Sequence, residues 1–281
     1  MVASISSLLQ NVQLHLKSRF NVAPLIGLEL EFYLKPQKDS FDGAYTNFQS
    51  RAAANGLHVV KEKGQNQYEI DILQNGSILD LLNQLKSAKD ILVNVAAMEK
   101  LDIIFDAKPF CDDYGSALHV HVSLHDDNGQ NVYGTHAMGK EYLHSSIFGV
   151  LELLDQGIAL FCHDRDFARF VPGMMCPTNI SWGGNNRTTA IRIPISDDTR
   201  RRFEFRVAPS SADVKDVVAF LLIGIYHGFT NPHLSFPKIY GNAFDEQYAL
   251  QILPKDLKMA SKLFNTKQTL KKYIDFFANQ Y

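Results

Sequence analysis

The stretch LHVHVSL, from Leu118 to Leu124, places two histidines two residues apart in an otherwise apolar run. Alternation of this kind predicts a β-strand, because successive side chains of a strand point to opposite faces. His119 and His121 therefore share one face, with Ser123 in line, and aliphatic side chains fill the other. We expect the aliphatic face to be buried and the histidine face to carry polar chemistry.

Three further predicted strands also place ionisable side chains two residues apart on one face. These side chains are Glu29 and Glu31 in GLELEFYL, Glu69 and Asp71 in QYEIDI, and Arg202, Glu204 and Arg206 in RRFEFRV. One such strand is most simply explained by a sheet with one solvated face. Several together favour a shared site, because grouped carboxylates repel one another and are costly to desolvate unless they are paired or bind metal.

A divalent cation held by several glutamates and one histidine would relieve this repulsion, and such oxygen-rich ligation suits Mg²⁺ or Mn²⁺ better than zinc. Arginines also crowd between residues 169 and 206, around the glycine-rich stretch WGGNNR. Taken singly, each arginine is most simply a surface residue. Carboxylates and a metal facing several guanidinium groups are typical of phosphoryl-transfer sites.

Composition excludes several classes of function. The chain has 281 residues, a formal net charge of −2 and 46% hydrophobic residues, so bulk electrostatics do not indicate a nucleic-acid partner. No apolar run reaches transmembrane length, which predicts no membrane partner. The three cysteines, Cys111, Cys162 and Cys176, form no CxxC pair, and we expect a cytoplasmic protein with reduced thiols.

The hydrophobic pattern predicts one α+β domain over residues 1–281, an antiparallel β-sheet with surrounding helices and no interdomain linker. The N-terminal residues lack acids, as transit peptides do, but their apolar spacing favours an amphipathic helix. Further helices are predicted over residues 45–57, 77–100, 138–163, 213–230, 244–252, 255–264 and 267–279. Strands are predicted over residues 25–34, 66–73, 102–109, 117–126, 188–195 and 201–207.

Six motifs, in this order, resemble those of the glutamine synthetase catalytic domain and its relatives. They are ELE (29–31), GQNQYE (64–69), KPFCDDYGSALHVHVSL (108–124), RFVPG (169–173), NNRTTAIRIP (185–194) and RFEFR (202–206). The resemblance implies a curved antiparallel sheet that holds two or three divalent metals. It also implies that ATP phosphorylates the side-chain carboxylate of glutamate, and that an amine then displaces phosphate to form an amide.

Site residues follow from the resemblance, motif by motif. It implies that Glu31, Glu62 and Glu204 bind one metal and that Glu29, Glu69 and His119 bind a second. It implies that His121, Ser123 and Arg202 bind ATP, and that Gly115, Arg169 and Arg206 bind glutamate. Arg187 and Arg192 would act on the transferred phosphoryl group. The family forms ring-shaped homo-oligomers, so a homo-oligomer is expected. We also expect Glu204→Gln to leave the fold intact, because it removes one charge from a repulsive cluster.

The sequence also departs from the family pattern. The chain is expected to begin almost at the catalytic domain, without the small N-terminal β-rich domain. Met175 stands where the family loop usually has a glutamate, and Tyr114 stands where ammonia-using members commonly have an asparagine. These departures, with the WGGNNR pattern, favour a branch similar to the γ-glutamylpolyamine synthetases, in which Met175 would line a pocket for a larger amine. The alternative is a degenerate member that binds nucleotide or metal without turnover.

Overall fold

The computed structural model describes residues 5–73 and 77–280. Within these residues the α-helices are α1 (Ile5–Phe20), α2 (Ala44–Ala54), α3 (Ile78–Met98), α4 (Gly139–Phe161), α5 (Val214–Thr230), α6 (Leu257–Lys267) and α7 (Thr269–Ala278). The strands are β1 (Ala23–Pro36), β2 (Val59–Lys61), β3 (Gln67–Ile72), β4 (Leu101–Ile104), β5 (Leu118–His125), β6 (Trp182–Gly183), β7 (Ile191–Arg192), β8 (Phe203–Phe205) and β9 (Lys238–Ile239). None of the described helices is long and apolar enough to cross a membrane.

The strands form one nine-stranded sheet, which confirms the predicted α+β class. Its order is β2-β3-β1-β5-β8-β7-β6-β9, and β4 also pairs with β1. The long strands β1, β3 and β5 pair in antiparallel fashion, as predicted, but β6 pairs with β7 and β9 in parallel. The sheet is therefore mixed at this edge. Between β6 and β9 the chain passes through β7, β8 and α5, which is long enough for a parallel crossover.

The apolar face of the sheet lies against helices. On β1, the buried side chains Leu28, Leu30 and Phe32 alternate with the glutamates of the opposite face. Behind the sheet, α4 and α5 approach so closely that a Cβ atom on Gly149 would lie 2.1 Å from the carbonyl oxygen of Gly224. Glycine is required at this position, and the close contact joins the two most apolar helices into one layer.

The strand register brings the ionisable side chains together. Glu29 lies opposite His119 across the β1–β5 pair, and Glu31 lies opposite Glu69 across the β1–β3 pair. His121 lies opposite Glu204 across the β5–β8 pair. Directly opposite residues in antiparallel strands have Cβ atoms about 4.5–5.5 Å apart. The polar faces predicted for four separate strands therefore form one continuous surface.

Several predicted elements differ from the structure. The strand predicted over residues 102–109 is only Leu101–Ile104, and the strand predicted over residues 201–207 is only Phe203–Phe205. Instead of a helix over residues 244–252 there is one 3-10 turn, Glu246–Tyr248, which ends where Ala249 adopts a left-handed conformation. The strand predicted over residues 188–195 is reduced to Ile191–Arg192, because the side chain of Asn186 accepts hydrogen bonds from the backbone and hydroxyl of Thr188. These side-chain contacts turn the backbone before a longer strand can form.

The predicted N-terminal amphipathic helix is α1, in which Leu8, Leu9, Val12 and Leu16 are buried and Ile5 is half-buried. It packs against α5 and α7. The first residues of that predicted helix region, 1–4, lie outside the described residues.

Candidate active site

Glu29 connects the two histidines of β5. Its Oε2 lies 3.1 Å from His119 Nδ1, and its Oε1 lies 2.7 Å from His121 Nε2. Burial opposes ionisation of this carboxyl, but the hydrogen bonds and charges of the two imidazoles outweigh burial and hold its pKa well below the usual range. Glu29 is therefore an ionised carboxylate at the centre of the polar face.

Glu29, Glu69 and His119 form a group suited to a cation, because their ligand atoms all lie within 4.8 Å of one another. Burial, followed by the charges of Glu29, Glu31 and Glu62, raises the pKa of Glu69 to about 9. A divalent cation would replace this repulsion with attraction, and two carboxylates with one imidazole are suitable ligands for it. These are the three residues that the sequence assigned to the second metal.

The residues implied for the other metal, Glu31, Glu62 and Glu204, do not form such a group among the described residues. Glu31 and Glu62 line the same cavity, and Ala117 N and Gln67 Nε2 donate to Glu31 Oε2 at 2.7 Å and 3.3 Å. Burial and the charge of Glu31 raise the pKa of Glu62. Glu204 instead groups with Glu29 and His121.

Glu204 is fully buried between two arginines. Arg192 Nη1 donates to its Oε2 at 2.5 Å, and Arg206 Nη1 donates to its Oε1. Burial alone would raise the pKa of Glu204, but the charges of His119 and Arg206 lower it to about 2. The expectation that Glu204→Gln leaves the fold intact therefore starts from a wrong premise, since this carboxylate is paired.

Two buried guanidinium groups have N–H groups without acceptors. Arg169 donates to the carbonyl oxygens of Val207 and Arg206 at 2.8 Å and 3.1 Å, and Arg206 donates to Glu204 and to Met175 O. The Nε atoms of Arg169 and Arg206 have no partner, and Arg169 has no ion-pair partner in the part of the chain that the structure describes. Uncompensated buried positive charge favours an anionic ligand.

These groups line one cavity. Ten of the predicted site residues line it, namely Glu29, Glu31, Glu62, Glu69, Gly115, His119, Arg169, Arg187, Arg192 and Arg206. A Cβ atom on Gly115 would lie 2.6 Å from Arg169 Cγ, so glycine is needed for the arginine to lie against this wall. The remaining lining residues are Lys63, Gln67, Tyr114, Met174, Met175 and Cys176.

The three residues predicted to bind ATP lie in a second cavity. His121, Ser123 and Arg202 line it together with apolar residues such as Leu25 and Ile72. Arg202 Nε donates to His121 Nδ1 at 3.1 Å, which leaves His121 Nε2 as the donor to Glu29. Glu29 lines both cavities, so they adjoin at this carboxylate.

Sequence reasoning missed two residues of this site. Gln67 is buried, and its amide nitrogen donates to Gly115 O at 3.0 Å while its oxygen accepts from Gly64 N at 2.9 Å. Its position two residues before Glu69, on the same strand face, was an available signal. Asn185 Oδ1 accepts from Arg192 Nε and Nη2 at 2.8 Å and 2.6 Å. Asn185 lies in the stretch WGGNNR, two residues before Arg187.

Comparisons with known proteins agree with this arrangement. A model of the glutamine synthetase catalytic domain matches residues 37–280. The chain is 32% identical over 191 residues to γ-glutamylputrescine synthetase of Escherichia coli (strain K12). The aligned region covers 67% of this chain and 40% of that protein. It is 29% identical over 207 residues to a glutamine synthetase of Pyrococcus horikoshii, covering 70% and 45% of the two chains.

A third relative is γ-glutamylethanolamide synthetase of Streptomyces coelicolor, which is 28% identical over 224 residues and covers 78% of this chain and 47% of that protein. The chain thus matches less than half the length of these curated relatives. The family model, in contrast, matches nearly the whole chain. The family predicted from the sequence motifs is confirmed: the chain belongs to the glutamine synthetase catalytic-domain family.

Proposed function

We propose that the chain is a ligase that joins the γ-carboxylate of glutamate to ammonia or a larger amine, using ATP and Mg²⁺ or Mn²⁺. The observation that carries this proposal is one cavity in which a carboxylate–histidine group faces two buried arginines with unpaired N–H groups. A second cavity adjoins it at Glu29. The names of the relatives, a glutamine synthetase and two γ-glutamyl amide synthetases, support the same reaction class.

Glu29, Glu69 and His119 would hold a divalent cation, and Glu31, Glu62 and Glu204 belong to the proposed second set of metal ligands. A bound cation supplies positive charge that screens phosphate groups from one another. Support for the first set is the convergence of its ligand atoms and the high pKa of Glu69 in the absence of a cation. The second set requires Glu204 to release at least one of its arginines.

The remaining residues would position the two anionic substrates. Arg169 and Arg206, with Gly115, would bind glutamate, because their buried positive charge is not fully compensated. His121, Ser123 and Arg202 would bind ATP in the adjoining cavity. Arg187 and Arg192 would stabilise the charge that develops on the transferred phosphoryl group.

The proposed chemistry has two balanced steps. An oxygen of the glutamate γ-carboxylate attacks the terminal phosphorus of ATP, ADP leaves, and γ-glutamyl phosphate forms. The amine nitrogen then attacks the acyl carbon, the carbon–oxygen bond to phosphate breaks, and inorganic phosphate leaves as the nitrogen loses a proton. We place this reaction in a cytoplasmic homo-oligomer, with residues 1–281 as one catalytic domain. The free cysteines support a reducing compartment.

One observation favours a second candidate function, a module that binds nucleotide or metal without turnover. Both carboxylate oxygens of Glu204 are paired with arginines, so one proposed metal ligand is already occupied. Such a module would bind ATP but would not release ADP.

The decisive assay measures ADP release by the purified chain with ATP, Mg²⁺ and glutamate, in the presence of ammonia, methylamine, ethanolamine or polyamines. Amine-dependent ADP release supports the ligase. If calorimetry shows ATP binding but no amine supports ADP release, the ligase proposal is refuted and the binding module is favoured. Glu69→Gln should abolish turnover and weaken Mn²⁺ binding measured by electron paramagnetic resonance. The exposed acid Glu141, changed to glutamine, is the matched control and should leave both unchanged.

A further inference from the structure

One wall of the first cavity differs from the others in its chemistry. Met174, Met175 and Cys176 line it consecutively, with Tyr114 beside them. Apart from Gln67 and Gly115, the rest of the described lining consists of ionisable side chains. Cys176 is buried, and burial raises the pKa of its thiol, so that it stays neutral. Thioethers and a neutral thiol favour apolar groups.

The backbone fixes this wall beside the proposed glutamate site. Met175 adopts a left-handed conformation, with φ of 61°, which is uncommon for a residue with a side chain. Its carbonyl oxygen accepts a hydrogen bond from Arg206 Nη2 at 3.4 Å. Such strained conformations persist where the surroundings hold them, and they cluster at functional sites. The methionine turn is therefore held against an arginine proposed to bind glutamate.

Of the three substrates in the proposed function, only the amine is left to contact this wall. Glutamate is ionised at every polar group, and the residues proposed for ATP line the other cavity. We infer that Met174, Met175 and Tyr114 form the amine subsite, and that the preferred amine is a primary monoamine with an uncharged alkyl chain. This inference rests on the proposed ligase function and goes beyond it by naming the class of amine.

The described lining of this wall offers no free carboxylate to a second ammonium group. The carboxylates that line the cavity, Glu29, Glu31, Glu62 and Glu69, are the proposed metal ligands. Glu31 also accepts hydrogen bonds from Ala117 N and from Gln67. The distal ammonium of a diamine would therefore meet sulfur atoms without a counter-ion, which is costly, whereas an alkyl chain would gain apolar contacts there. In this respect the chain would differ from its relative that is named for putrescine.

The test compares two amines that share the same four-carbon chain, n-butylamine and 1,4-diaminobutane, in the ADP-release assay with saturating ATP and glutamate. We expect kcat/KM for n-butylamine to be at least about tenfold higher, which corresponds to about 1.4 kcal/mol. Met175→Glu adds a carboxylate to the wall and should lower this ratio by about tenfold or reverse it. Met175→Leu keeps an apolar side chain of similar size at the same backbone position and should preserve the ratio.

The possible outcomes separate this inference from the proposed function. Equal or better use of 1,4-diaminobutane by the wild-type chain would overturn the monoamine assignment while leaving the ligase intact. An unchanged ratio in Met175→Glu, in a variant that melts like Met175→Leu, would overturn the placement of the amine at this wall. The absence of ADP release with every amine would refute the ligase itself and this inference with it.

Discussion

Replacing Glu204 by glutamine removes the carboxylate that lies between two arginines. The substitution keeps the shape of the side chain but leaves Arg192 and Arg206 facing a neutral amide. Breaking a buried ion pair by removing one partner typically costs about 3–5 kcal/mol, because the other charge remains buried. We therefore expect a large loss of stability as well as a loss of activity.

Against the effect of burial, the charges of His119 and Arg206 lower the pKa of Glu204, which gives a second magnitude. A carboxyl held at about 2 in the folded chain, against an ordinary value of 4.5, corresponds to about 3 kcal/mol of stability at neutral pH. Because the pKa is lowered on folding, this contribution is complete above about pH 4.5 and is lost as the pH falls toward 2. At pH 3 it should be about half of its neutral value or less.

The assay is urea unfolding of wild-type and Glu204→Gln protein in EDTA, followed by circular dichroism at pH 7 and at pH 3. We expect the variant to be less stable by about 3 kcal/mol at pH 7, and the difference to shrink at pH 3. Glu141→Gln, an exposed change on α4, is the control and should fall within about 0.5 kcal/mol of wild type. Equal stability of Glu204→Gln and wild type at pH 7, or a loss that does not depend on pH, would refute the reasoning.

Substitutions at three further positions and the effect of one ligand test other parts of the structure. Asn185→Ala should lower kcat/KM about tenfold, because Arg192 loses the acceptor of two hydrogen bonds. Asn185→Asp keeps an acceptor oxygen and should have kcat/KM close to the wild-type value. Neither variant should change the melting temperature much. Gln67→Leu should destabilise the fold by about 2 kcal/mol in urea, because Gly64 N loses its buried acceptor. Asn11→Ala should lower the free energy of unfolding by about 1 kcal/mol and speed amide exchange in α7. The reason is that the Asn11 side-chain amide donates hydrogen bonds to the carbonyl oxygens of Phe277 and Gln280 at the end of that helix. Mg²⁺ at a hundredfold excess over its Kd should stabilise wild type by about 2.7 kcal/mol, and this gain should be absent in Glu69→Gln.

Local patterns were sufficient to predict the elements that bury one face. The period of α3 predicted a helix over residues 77–100, and Ser77 does accept a hydrogen bond from Asp80 N at its start. The alternation in β1 and β5 predicted both strands and their polar faces. These predictions succeeded because the spacing of apolar residues directly reflects which side chains are buried.

Elements held by contacts between residues far apart in the sequence were not predictable in the same way. The segment over residues 244–252 has helical composition, but it is interrupted at Ala249, and Ile252 forms an isolated bridge with Asn179. That bridge joins residues more than seventy positions apart, which no local window of sequence contains. Tertiary pairing therefore overrode local propensity at this segment.

The candidate site shows the same division between local and non-local information. Spacing identified Glu204 and its neighbouring arginines as polar positions on one strand face, but it did not give their partners. Arg192 reaches Glu204 because β7 and β8 pair in a register that sets these two residues opposite each other. The sequence thus predicted which side chains lie on the surface of the site, and the register decided whether each carboxylate faces a cation or another carboxylate.

The two histidines of LHVHVSL have different neighbours for the same reason. His119 shares one potential cation-binding group with Glu29 and Glu69. His121 shares another with Glu29 and Glu204, and it accepts a hydrogen bond from Arg202 in the other cavity. Both contact the one carboxylate of Glu29, through different oxygens. The contacts Arg202–His121–Glu29–His119 therefore run from one cavity to the other through two residues of a single strand.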